Sequence, residues 1–177
     1  MTTPYADPQG IHNPATGNSP PASWGDNVRD NLQTLSAPPG CIVSRTATQS
    51  IATSAETAIQ FNAADIRDTD NYHDTVTNNT RMTVPSGFGG LYRLTAVVSW
   101  DVGATGVRSL FYKISAGASV LSDQSLNQGA SFAGWNSFSR EILLSVGQYV
   151  EVTGFQTNGG ALNLTGAEVS LTWMGRL

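Results

Sequence analysis

The stretch from Met82 to Trp100, M-T-V-P-S-G-F-G-G-L-Y-R-L-T-A-V-V-S-W, constrains this chain more than any other. A short β-prone run closes at Pro85, the chain reverses through Ser86, Gly87, Phe88, Gly89 and Gly90, and a strict alternation follows. Tyr92, Leu94, Ala96, Val98 and Trp100 are all apolar, whereas Leu91, Arg93, Thr95, Val97 and Ser99 are mixed. Successive side chains of a strand point to opposite faces, so the pattern predicts one face in a core and the other partly wetted. Strands of about five or six residues are usual, and so long a run belongs at the centre of a sheet. Pro85 cannot donate to a ladder and the glycines accept positive φ, so the turn before the strand is specified by its chemistry.

The same β character fills the chain past Gly40. Ile42 to Ala47, Thr57 to Phe61 and Met82 to Val84 read as strands before the long one. After it come Ser109 to Ala116, Phe138 to Leu144, Tyr149 to Gln156, a shorter run at Ala161 to Leu164, and Val169 to Met174. Ser109 to Ala116 alternates Leu110, Tyr112, Ile114 and Ala116 against Ser109, Phe111, Lys113 and Ser115. Thr157-Asn158-Gly159-Gly160 suits a hairpin turn. Eight or nine strands with Gly- and Asn-rich turns and no helical pattern between them predict an all-β antiparallel sandwich over 41–177. No internal repeat is visible, which disfavours propellers and solenoids.

Residues 1–40 differ. They hold seven of the eight prolines, and up to Ser19 they follow neither period 2 nor period 3.6, which predicts an extended N-terminal arm. Within it Trp24, Val28, Leu32 and Leu35 recur at steps of four, four and three, one stripe of a short α-helix near 20–35. Ser19 or Ser23 suits its N-cap, Pro20 or Pro21 its first turn, and Asp26 the capping box with Ser23. Ala37-Pro38-Pro39-Gly40 ends it. So short a helix is marginal alone in water, and its stripe needs a surface: its own domain, a sister subunit or a larger assembly.

Composition narrows the function. The 177 residues are 40% hydrophobic, enough for one domain with a real core. Only 12% are charged, Lys113 is the one lysine, and the formal net charge is -4, which argues against a nucleic-acid surface. No run of eighteen apolar residues predicts a membrane span, and M-T-T-P-Y-A-D-P does not read as a secretory signal, so the expected site of synthesis is the producing cell's cytoplasm. Without an export signal, the triplets Asn78-Asn79-Thr80 and Asn163-Leu164-Thr165 do not read as glycosylation sites. Cys41, the single cysteine, allows no intramolecular disulfide and reads as a small buried hydrophobe.

Catalytic sets are missing from the sequence. The two histidines, His12 and His73, fall in the arm and in a polar loop. No His-x-x-x-His, Cys-x-x-Cys, nucleophile elbow or phosphate loop occurs, so the expectation is a protein without catalytic, cofactor or metal residues. Asn62 to Asn79 concentrates Asp65, Asp68, Asp70 and Asp74 with four asparagines. Oxygen ligands that dense suit Ca²⁺, but Asp and Asn are default turn formers and the spacing matches no EF-hand loop. Phe132, Trp135 and Phe138 sit in the Gly- and Ser-rich segment Asn127 to Phe138, as anchors of a long loop or as a sugar or subunit contact.

Three motifs in order carry a family resemblance over Cys41 to Leu177. Pro85, the glycine turn and Gly90-x-Tyr92-x-Leu94-x-Ala96-x-Val98-x-Trp100 resemble the central strand of the C1q/TNF-like jelly rolls and its P-x-x-G-x-Y-x-F run. Leu144 to Val152 resembles the L-x-x-G-D-x-V-x-V hairpin, with Gln148 in place of Asp. Ser170 to Leu177 resembles the closing S-x-F-x-G-x-L strand, with Trp173 in place of Phe. Asp70 to Thr75 resembles an architectural Asp-Thr segment of phage relatives of that fold, and Ile11 to Gly40 resembles the N-terminal segment of small structural proteins from tailed bacteriophages.

The resemblance implies an all-β C1q/TNF-like antiparallel jelly-roll sandwich behind an arm with one helix. Pro85, Gly90, Tyr92, Trp100, Gly147, Tyr149, Val150 and Trp173 are its fold-motif positions. It implies a non-enzymatic homotrimer on the outer capsid surface of a virion, a decoration or cement protein. Trp24, Val28, Leu32 and Leu35 of the arm would anchor it to the major capsid protein or another virion protein. The alternative is a tail-tip or fibre-head trimer recognising host-surface glycan through Asn127 to Phe138, and a third is a secreted C1q-like module outside viruses.

Overall fold

The computed structural model describes residues 22–103, 106–126 and 133–176. The chain divides into two compact units, Met1–Pro39 and Gly40–Leu177. In the first, helix α1 spans Ala22–Ser36. Ser23 therefore lies inside the helix and does not cap it, while Ser19, Pro20 and Pro21 fall outside the described residues. Asp26 pairs with Arg29 at 3.1 Å instead of closing a capping box, an exposed contact of a few tenths of a kcal/mol at most. The ladder runs on to Ala37, whose N–H donates to the Gln33 carbonyl at 2.8 Å. Pro38 and Pro39 have no N–H to extend it.

The second unit carries the strands β1 (Gly40–Arg45), β2 (Gln49–Ile51), β3 (Thr57–Ala58), β4 (Arg67–Asp68), β5 (Arg81–Thr83) and β6 (Gly90–Trp100). They continue with β7 (Val107–Ile114), β8 (Val120–Leu126), β9 (Gly134–Leu144), β10 (Tyr149–Gln156) and β11 (Leu162–Gly175). One sheet has the order β4-β1-β11-β6-β9 with β2 also on β11, and the other β3-β10-β7-β8 with β5 also on β10. All of these strand pairs are antiparallel. The fold is an all-β jelly-roll sandwich.

The inner face of β6 does what its alternation predicts. Tyr92, Leu94, Ala96, Val98 and Trp100 are fully buried, against Val169, Leu171 and Trp173 of β11 and Leu110, Val150 and Val152 of the opposite sheet. Burying a large apolar side chain stabilises the fold by about 1.5–3 kcal/mol, so this layer supplies much of the driving force. Cys41 is buried in the same core. The turn into β6 favours glycine at two points: Gly87 has φ +93°, and Gly90 has φ +153°, where a Cβ would lie 2.1 Å from the Gly175 carbonyl oxygen.

Polar groups stitch the two sheets together at one end. The Trp100 indole donates to Asn136 Oδ1 at 2.9 Å, and Asn136 Nδ2 donates to Asp123 Oδ2 at 2.9 Å and Ser125 Oγ at 3.2 Å. Asp123 also accepts the Ser137 N–H at 2.8 Å. A buried indole N–H and a buried amide are thus satisfied across the core.

The structure corrects the strand assignment in several places. Ala161 to Leu164 and Val169 to Met174 are one strand, β11, carried past Thr165 by an irregularity between Leu164 and Gly166. Thr57 to Phe61 shrinks to the two residues of β3. β2, β4 and β8 were not read from the sequence, and β9 begins at Gly134, inside the segment assigned to a loop. β7 does not alternate at its start, because Arg108, Ser109 and Leu110 are all buried. His73 is buried too, although its surroundings in sequence are polar.

Candidate functional site

On the outer face of β6, β9 and β11 several apolar side chains stand open. Register places Ser99 opposite Trp135, Val97 opposite Ser137, Thr95 opposite Ser139, Arg93 opposite Glu141 and Leu91 opposite Leu143. On the other flank Glu168, Ser170 and Thr172 face Val97, Thr95 and Arg93. Two apolar ends therefore frame a belt of short hydroxyls. Trp135 is 67% exposed and Val97 39% at one end, Leu143 59% and Met174 44% at the other.

Charge on this face is sparse: one matched pair, Arg93 with Glu141, and the carboxylate of Glu168. Arg93 donates to Glu141 at 3.2 Å with both side chains half exposed, a contact that screening keeps weak. Thr95 and Ser139 hydroxyls meet at 3.3 Å, and the Thr165 hydroxyl donates to Ser99 at 2.9 Å. Val97, Trp135, Ala167 and Glu168 line a shallow groove of about 350 Å³ beside that end. An open face of this kind is chemically suited to burial against another protein surface.

The residues singled out in sequence fall in different places. Trp135 lies on β9, on the open face, and Phe138 is buried on the inner face at 6% exposure, so the two do not share one loop. Phe132 lies outside the described residues. Tyr92, Trp100, Val150 and Trp173 are buried, Pro85, Gly90 and Tyr149 are half-buried, and Gly147, φ +80°, is exposed in the turn between β9 and β10. Trp173 Nε1 is buried without a hydrogen-bond partner among the described residues, a consequence of indole standing where the motif has Phe. On α1, Val28 is half-buried and Leu32 and Leu35 are 60% and 79% exposed, and the side chain of Trp24 is outside the described set.

The carboxylates of Asn62 to Asn79 serve the backbone. Asp68 accepts the N–H groups of Asp70, Tyr72 and His73, and Asp74 those of Val76 and Thr77. These two bonds hold the Asp74 pKa below the ordinary aspartate range. Asp65 Oδ1 lies 2.8 Å from His73 Nδ1, whose other ring nitrogen is 3.2 Å from the Asn79 carbonyl. Among the described residues no three His, Cys, Asp or Glu side chains come together as a metal site. No helix among them is long and apolar enough to cross a membrane.

Sequence reasoning missed Arg108. The residue is 2% exposed, and its guanidinium donates to the Gly103 carbonyl at 3.3 Å and fits against Gly134, where a Cβ would lie 2.4 Å from Nη1. Burial lowers its pKa, with Asp101 opposing. A charged residue just before the run Ser109 to Ala116, read as alternating, carries no signal of the glycines that make room for it.

No protein-family model matches the chain, and no curated protein sequence matches it. Solved structures do. The globular domain of zebrafish complement 1qA protein is similar over 78% of this chain and 99% of its own, with 16% identity and a TM-score of 0.59. The PRD1 vertex protein P5 is similar over 77% of this chain and 96% of its own, with 15% identity and a TM-score of 0.53.

The fold is the C1q/TNF-like jelly roll.

Within the C1q/TNF-like jelly roll of this chain, the open face belongs to the six-stranded sheet: β6, which carries the Gly90 to Trp100 motif, is its middle strand, flanked by β11, which carries the Ser170 to Gly175 motif, and by β9.

Proposed function

We propose that this chain is a non-enzymatic structural protein of a tailed-bacteriophage virion. It acts as a homotrimer of jelly rolls that decorates or cements the outer capsid surface, held on the major capsid protein lattice by residues 1–40. The open face of β6, β9 and β11 carries the reading. A sandwich uses only its inner faces for its own core, so Val97, Trp135, Leu143 and Met174 stay largely open to solvent and add little to it. Because Arg93 is matched by Glu141 on the same face, identical copies can meet there without strong repulsion. Copies arranged in a closed ring bury such a face on each subunit, and three is the number that the motif resemblance implies. Likeness in fold to a vertex protein supports a place on a particle.

The arm supplies the attachment. Leu32 and Leu35 are exposed on a fifteen-residue helix, too short to be stable alone, so docking on a lattice would stabilise both helix and attachment. Light scattering on the purified chain tests the oligomer, with a mass three times 18.7 kDa expected. Cryo-electron microscopy of the intact particle, beside a deletion of residues 1–35, tests the location. Density at capsid three-fold positions that is lost on deletion supports the proposal. Density confined to the tail tip overturns it in favour of host-glycan recognition.

A further inference from the structure

Away from the open sheet face, the loop between β4 and β5 and the start of β10 enclose a polar cleft of about 520 Å³, within the range of small-molecule sites. Its walls are Asn71, Asp74, Thr77 and Asn78 on the loop and Arg81 and Tyr149 on the strands. The loop is rigidly built. Asp68 and Asp74 cap five of its N–H groups, the Thr83 N–H donates to the Tyr72 carbonyl at 2.6 Å, and the His73 ring is wedged between Asp65, Asn79 and the edge of Phe61.

Of the charges that line the cleft, Arg81 and Asp65 are paired with side chains, and Asp74 accepts two backbone N–H groups. Arg81 Nε donates to Glu151 at 3.1 Å and its guanidinium lies 4.2 Å from the centre of the Tyr149 ring. Asp65 faces His73. An anion such as phosphate would need a free cation or a nest of N–H groups, and a peptide would need an apolar pocket or an open strand edge. What the cleft offers instead is a dense set of amide, hydroxyl and carboxylate groups beside one aromatic ring. That set complements a molecule that is neutral and rich in hydroxyls, and recognition rests on the polar groups because Arg81 already lies over the Tyr149 ring.

From this we infer that the cleft binds a neutral saccharide, with the Asn71 and Asn78 amides as its bidentate contacts. Both asparagines are exposed on the rim and hold positive φ, 61° and 58°. The loop's own side-chain bonds run through Asp65, Asp68, His73 and Asp74, which leaves these two amides for a ligand. The site lies wholly within the jelly roll and does not depend on the particle location proposed above.

The positive φ also provides a clean variant. Glycine adopts these angles without strain, so Asn71→Gly with Asn78→Gly removes both amides and leaves the loop's path intact. The test is saturation-transfer NMR on the full chain with glucose, mannose, galactose and N-acetylglucosamine, at about 10 mM because a single sugar on a small site binds weakly. Glucuronic acid is the anionic control. The expected result is saturation transfer from at least one neutral sugar, weakened about tenfold or more in the double variant while its thermal unfolding stays within about 3 °C of wild type. Absence of transfer from every neutral sugar overturns the inference. So does transfer from glucuronic acid alone, which would make Arg81 the determinant, and so does binding that the double variant leaves unchanged.

Discussion

The Tyr72 and Tyr92 hydroxyls meet at 3.1 Å in the core, and their order of donation is fixed. Tyr92 Oη donates to the Phe88 carbonyl at 2.5 Å, so its one proton is used and Tyr72 must be the donor between the two rings. The chain of bonds ties the long loop before β5 to the turn that enters β6. Both rings are almost wholly buried, and they pack edge to face at 6.2 Å.

Removing either hydroxyl should therefore have unequal effects. Tyr72→Phe deletes one donor and is expected to cost about 1 kcal/mol, whereas Tyr92→Phe leaves both the Phe88 carbonyl and the Tyr72 hydroxyl without their partner and should cost about 2–4 kcal/mol. Urea unfolding of the two variants measures the difference, and equal losses would contradict the assigned order. Burial pushes the Tyr92 hydroxyl up to about 12, and Tyr72 higher still. Raised values favour the protonated, folded form, so this contribution is complete below the ordinary value of 10.0 and fades as pH climbs through about 12. Alkaline unfolding should accordingly track tyrosinate absorbance.

Glu56 gives the opposite pH dependence. Burial works against its carboxylate, but hydrogen bonds from Thr153 at 2.6 Å and Ser119 at 2.7 Å, with Lys113 at 3.0 Å, outweigh that and hold its pKa below 4.5. A depressed carboxylate stabilises above its unfolded value and loses that contribution as pH falls through the folded one. Glu56→Gln should cost about 1 kcal/mol at neutral pH, kept small by partial exposure, and the gap to wild type should close below about pH 4.5. Thermal scans across acidic pH would reveal a gap that fails to close.

The fit of Arg108 against Gly134 predicts a coupled pair. Gly134→Ala drives a methyl into the guanidinium, which is buried and has little room to move, at an expected cost of about 1–3 kcal/mol. In an Arg108→Met background the same substitution should cost markedly less. A double-mutant cycle with a coupling near zero would place the strain elsewhere.

For the open sheet face, Val97→Arg with Trp135→Arg puts two cations where the proposed interface is most apolar. The variant should weaken each subunit contact by about 2 kcal/mol or more and shift light scattering from trimer to monomer, with thermal unfolding of the jelly roll itself little changed. A trimer that survives both substitutions would move the interface off this face.

How much of this was legible in sequence depends on what set each position. Tyr92 to Trp100 obeyed a local rule, alternation across a central strand, and the core follows it residue by residue. Tyr149 to Gln156 matches its strand for the same reason. β8 reads V-L-S-D-Q-S-L and gave no pattern, because an edge strand is selected less by burial than by the neighbour it pairs with. The kink near Gly166 interrupts the alternation of β11, which split one strand into two on paper. Arg108 and Asn136 are buried by partners distant in sequence, namely Gly134 and Trp100, and His73 meets Asp65 only because the loop between them folds back. Of the open face, the alternation of Leu91 to Ser99 announced a mixed side, but nothing local told which strands would extend it.

The pairing of β1 with β11 has a consequence for biosynthesis. β11 receives β1 and β2 along one edge and β6 along the other, so strands made first wait for the strand made last. Until β11 emerges from the ribosome, β1 has only the two-residue β4 as a neighbour and β6 lacks its inner partner. Contacts so far apart along the chain slow folding, and they make assembly of this sheet wait for β11. A stalled or truncated nascent chain would therefore present β6 as an unsatisfied, aggregation-prone edge, and would depend on chaperones until its final strand arrived.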